Sequence, residues 1–152
     1  MGAVYFYHLT ERPLEATLPV LLNKALEAGW RVAVRGRDPE LLDRLDRQLW
    51  HGDGFLPHGQ AGGDHDALQP VLLTTSTEAA NQPSCVMSVA GAEVTADEVT
   101  SLERVCILFD GADSAALEEA RNQWRTLTGA GVAAQYWAEE DRRWVKKADS
   151  EA

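Results

Sequence analysis

Segments of strand character alternate with segments of helical period along nearly the whole chain, and that alternation restricts the fold more than any other property of the sequence. Residues 3–8 are apolar and aromatic around β-branched Val4, a strand pattern. Pro13 then opens a helix, where its missing N–H costs nothing. Leu14, Leu18, Leu21, Leu22, Ala25 and Leu26 follow at helical spacing, and Gly29 marks the stop. Residues 30–35 alternate as a second strand. Asp38 caps a second helix that starts with Pro39 and presents Leu41, Leu42, Leu45 and Leu49 on one face. Strands are predicted at 71–75 and 84–89. Thr95 and Glu98 have capping-box spacing for a short helix. Residues 104–109 form an unbroken apolar run, suited to a strand covered on both faces. Asp113 caps a helix over 114–128, closed by Gly129 and Gly131, and 132–137 is the last predicted strand.

This order predicts an α/β fold: a three-layer sandwich around a mostly parallel sheet, Rossmann-like but without the nucleotide-binding glycine motif. With 152 residues the expectation is one domain, over 1–138, followed by a charged C-terminal tail over 139–152. Residues 52–70, rich in Gly, Asp, His and Pro, read as a long loop with its tip at 62–66. A chain of this length buries enough surface to fold without disulfide or metal. Cys85 and Cys106 both fall in strand runs and read as buried, reduced thiols of a cytoplasmic protein. The first residues lack the basic-then-apolar pattern of a signal peptide, and no apolar run approaches a membrane span.

Chemistry is hard to find. No Ser-His-Asp set, paired-carboxylate motif or cofactor loop stands out, and His8, His51, His58 and His65 are scattered. Asp64, His65 and Asp66 have metal-ligating side chains, but a glycine-rich tip does not hold ligands in place. No cofactor is expected. A small nucleotide-binding or hydrolytic enzyme working at the sheet's carboxyl edge remains the rival reading. The net charge of −10 disfavours nucleic acid as a direct partner, since such binding depends on Lys and Arg displacing counterions. One basic segment runs against that balance: Arg142, Arg143, Trp144, Lys146 and Lys147. It reads either as solvated tail or as a contact for nucleic acid or an acidic peptide.

Two groups of residues have the character of docking sites. Trp50 ends the second helix, two glycines and an aspartate follow, and Phe55, Leu56 and Pro57 come where the backbone turns. Trp50 is either the last core residue of its helix or part of an exposed apolar hot spot. On the last helix Arg121, Trp124 and Arg125 fall at i, i+3 and i+4 and share one face. Two guanidinium groups beside an indole can take a carboxylate next to an apolar anchor, or can form ion pairs within a solvated helix face.

The block Leu45-Asp46-x-x-Leu49-Trp50, then Phe55-Leu56-Pro57-His58-Gly59, resembles the chi subunit of bacterial DNA polymerase III holoenzyme, and the Ala120-Arg121-x-x-Trp124 helix with Gly131 after it agrees. The resemblance implies a non-catalytic accessory subunit of DNA replication, any polymerase activity belonging to the holoenzyme. It implies that Trp50, Phe55, Leu56 and Pro57 hold the psi subunit of the clamp loader, an accessory helicase competing for that surface. It further implies that Arg121, Trp124 and Arg125 bind the acidic C-terminal tail of single-strand-binding protein. Leu117 stands there where the family has a lysine, and Phe109 is expected nearby. Contact with nucleic acid would be mainly indirect, and no membrane is involved.

Overall fold

The computed structural model describes residues 2–51 and 56–150. Its centre is an eight-stranded sheet in the order β3-β4-β2-β5-β6-β1-β7-β8. The strands are β1 (Ala3–Leu9), β2 (Val32–Arg35), β3 (Gly59–Gln60), β4 (Val71–Thr74), β5 (Cys85–Val89), β6 (Arg104–Asp110), β7 (Ala133–Glu140) and β8 (Arg143–Asp149). All pairings are parallel except that of β7 with β8. The helices α1 (Leu14–Glu27), α2 (Pro39–His51), α3 (Ala96–Ser101) and α4 (Ser114–Gly129) form the outer layers. The result is the expected three-layer α/β sandwich around a mostly parallel sheet.

Two apolar cores result. On one face the buried leucines of α1 and α2, among them Leu18, Leu22, Leu42 and Leu45, pack on Val32, Val34, Leu73 and Met87. All four leucines predicted for the inner face of α2 are buried. Each contributes about 1.5–3 kcal/mol relative to exposure. On the other face Val99 of α3 and Ala120 and Leu127 of α4 cover Val4, Phe6, Val105 and Ile107. The long run of β6 is buried from Val105 to Phe109 because helices lie on both sides of it.

Two strands occur where the sequence reading has none. Within the expected 52–70 loop, Gly59 and Gln60 pair with Leu72 and Leu73 of β4. The tip of that loop is closed by Asp66, whose carboxylate accepts from the amides of Gly62 and Gly63 at 2.9 and 3.0 Å. At the other end of the sheet, 143–149 is no loose tail. Asp141 and Arg142 take φ of 51° and 62°, the two left-handed positions of a tight hairpin turn, and β8 folds back along β7. Asp tolerates that conformation without glycine, and the Arg142 amide donates to Glu11 Oε2 at 2.9 Å.

Candidate protein-docking sites

The α4 site begins with its cap: Asp113 Oδ1 accepts from the amides of Ala115 and Ala116 at 3.0 and 3.3 Å. That fixes the helix so that Ala120 and Leu127 face the sheet, while Leu117 and Trp124 lie half-buried against the same core. The Trp124 ring stands edge-on to Phe6 at 5.4 Å and to Tyr136 at 6.0 Å. Tyr136 forms a hydrogen bond between its hydroxyl and His8 Nδ1 at 2.8 Å. The His8 ring in turn lies 5.1 Å from the buried Phe109. His8 is seated over Gly111, where a Cβ would meet its Nε2 at 1.8 Å. Phe109, His8, Tyr136 and Trp124 thus form one aromatic floor.

Arg121 stands at the edge of this floor. Burial lowers the pKa of His8, and the Arg121 charge lowers it further, against a smaller upward effect of Asp110. Burial raises Tyr136, and the same guanidinium opposes that shift. Arg121 is 60% and Arg125 67% exposed, and both reach Glu118, at 4.0 and 3.8 Å. Such long, exposed ion pairs are worth at most about 1 kcal/mol. They therefore yield readily to a better-placed carboxylate. Arg125 joins the group through Glu118. His8 and Tyr136 are the members that sequence reasoning missed, because they come from β1 and β7, which become neighbours only through the parallel register pairing Phe6 with Tyr136.

At the opposite end of the sheet, Trp50 is 54% exposed on the last turn of α2, so it is not a core residue. Its ring lies 4.3 Å from that of His58. The buried His58 has Nδ1 2.7 Å from the Leu56 carbonyl and Nε2 3.0 Å from Asp46 Oδ1. Asp46 and His58, both in the block that carries the family resemblance, therefore support the exposed indole. Leu56, expected on the apolar surface patch, is instead buried in the α1–α2 core with Leu41, Leu42 and Leu49, because the chain must turn back beneath α2 to reach β3. Pro57 is half-buried, and Phe55 lies outside the described residues.

The carboxyl edge of the sheet, where an enzyme of this fold would work, holds a cavity of about 800 Å³. Its lining includes Glu11, Glu15, Asp38, Asp110, Asp113 and Glu119. The three lining arginines each have a carboxylate partner: Arg12 with Glu139, Arg37 with Glu119, and Arg44 with Glu15. An acidic crevice without a glycine-rich loop is a poor seat for phosphates.

Fold and lining together define a doubly wound α/β domain with an acidic crevice at the carboxyl edge of its sheet. A family model for the DNA polymerase III chi subunit, HolC, matches residues 1–135, and the chain belongs to that family. No curated protein matches it. Among the described residues no helix is long and apolar enough to cross a membrane.

Proposed function

We propose that this chain is the replicase adaptor that joins the clamp loader, through psi, to single-strand-binding protein. Membership of the chi family supports a role in DNA polymerase III. The observation that carries the finer reading is the aromatic floor of Phe109, Tyr136 and Trp124 with Arg121 at its rim. An acidic tail ending in an apolar residue has matching parts: its carboxylate goes to Arg121 and Arg125, and its last side chain to the rings. Leu117, in place of a lysine, adds apolar area to this seat and removes a charge. The resulting affinity need not be high, because many tails on one coated strand raise the effective concentration.

The psi side is assigned to Trp50 on its His58 support and to Pro57, with Leu56 packed in the core below them, and Phe55 enters on the resemblance alone. An accessory helicase competes for the same surface. The domain contributes no reaction of its own. Titration of a labelled single-strand-binding-protein tail peptide is the test. Arg121→Ala is expected to weaken binding about tenfold or more, the value of one charge-assisted hydrogen bond. An unchanged affinity would remove the pocket from the account.

A further inference from the structure

We propose that the sheet face opposite α4 carries a separate site, a stacking platform for single-stranded nucleic acid. It does not rest on the tail-binding reading. Helix α1 lies over β2 and β6, and α2 over β3 and β4. The strip over β1, β7 and β8 lies beyond the edge of this helical layer. Strand alternation places Tyr5, Tyr7 and Trp137 on that strip, and the hairpin brings Trp144 beside them, opposite Glu139. The rings form a chain: Trp137 to Tyr5 at 6.3 Å, Tyr5 to Tyr7 at 6.4 Å, Tyr7 to Trp144 at 5.0 Å. Arg104 continues it, with its guanidinium carbon 3.8 Å from the Tyr5 ring centroid. The four rings stay half-buried, each presenting part of its surface to water.

Charge selects the occupant. Across residues 139–149 Arg142, Arg143, Lys146 and Lys147 balance Glu139, Glu140, Asp141 and Asp149, and the cations of the ring face are Arg104 and Lys146. Lys146 lies opposite Trp137 and so on the ring face, where Asp149 meets it at 3.0 Å. Lys147 pairs with Glu140 on the other side of the strand. Aromatic rings flanked by Arg104 and Lys146 suit a flexible polyanion whose units each have a flat face. Single-stranded nucleic acid is that ligand: bases stack on the rings and phosphates follow β8. A duplex keeps its bases out of reach.

The test uses the full chain and a labelled oligothymidylate, followed by anisotropy and by quenching of tryptophan emission. Saturable binding at low salt, weakened about tenfold or more as salt rises from about 50 to 200 mM, is expected. Trp144→Ala should cost about tenfold in affinity. Lys146→Glu, an exposed change that leaves the rings and core intact, should weaken binding several-fold and flatten the salt dependence. Absence of binding at low salt overturns the proposal and leaves the face to a protein partner. Binding that neither variant alters, or that salt leaves unchanged, overturns it equally. No tail peptide is present, so either outcome leaves the α4 pocket untouched.

Discussion

His8 is the residue whose chemistry the sequence hides most completely. Alone in an apolar strand it is an ordinary core histidine. In the fold its Nδ1 meets a hydroxyl 128 positions away, and burial, then the charge of Arg121, depress its pKa. A carboxylate docked on Arg121 offsets that charge and raises His8 toward its ordinary value. The complex then binds more protons than the free domain, so binding tightens as pH falls. Between pH 7.5 and 6, where tail carboxylates stay ionised, the affinity of a tail peptide should therefore rise. His8→Gln should remove the dependence. Calorimetry at the two pH values, on both proteins, decides it: equal slopes would mean that His8 does not sense the ligand. Arg121 and Trp124 were legible because i, i+3 spacing on a helix is a local rule. His8 and Tyr136 were not, because strand register is set by packing across the whole sheet.

At the scale of elements, caps and periods proved the readable features. Asp113 and the Thr95–Glu98 box start α4 and α3 where their side chains predict, and the leucine period of α2 gives its buried face without error. Unread were β3, too short to show alternation, and β8, whose turn uses Asp141 and Arg142 where Asn-Gly would have announced a hairpin. Glu98 shows how one residue serves two elements. Its carboxylate accepts from the Thr95 amide, completing the capping box, and holds Arg35, buried at the end of β2, at 2.5 Å. Burial by itself would raise the Glu98 pKa. The hydrogen bonds from Arg35 and Thr95 outweigh it, and the carboxyl is held below its ordinary value. Glu98→Gln keeps an acceptor for the cap but leaves a buried guanidinium without its counter-charge. The expected loss is about 3 kcal/mol, against about 1 kcal/mol for Thr95→Ala. Because the folded pKa is lowered, the contribution of Glu98 is full above the ordinary carboxyl value of 4.5 and disappears as pH falls through the lowered one. Urea melts from pH 7 downward should therefore show a gap between wild type and Glu98→Gln that narrows in acid. A gap that persists unchanged in acid would assign the loss to packing.

The whole molecule places its two proposed docking sites far apart. Trp50 ends α2, which lies over β3 and β4, whereas Trp124 and Arg121 lie on α4, over β6 and β7. From β4 to β1 the sheet order counts four steps, through β2, β5 and β6. At about 4.8 Å each they span about 19 Å before the difference in face is added. A parallel sheet packed on both sides is stiff, and the rings that meet Trp124, Phe6 and Tyr136, lie on β1 and β7, whereas His58, which meets Trp50, lies just before β3. Changes so separated act independently to within about 0.5 kcal/mol. Tail-peptide affinity should thus be the same within about twofold whether or not psi is bound. Trp50→Ala should abolish psi capture while leaving the tail affinity intact, and Arg121→Ala should do the reverse. An adaptor gains from that independence: a strand-bound tail can be exchanged without loosening the hold on the clamp loader. Calorimetric titration of the tail peptide into the free domain and into its psi complex is the measurement. A change above about fivefold would show a coupling free energy of about 1 kcal/mol between the sites. The sheet between them would then be a moving part of the assembly, with α2 and α4 as its two levers.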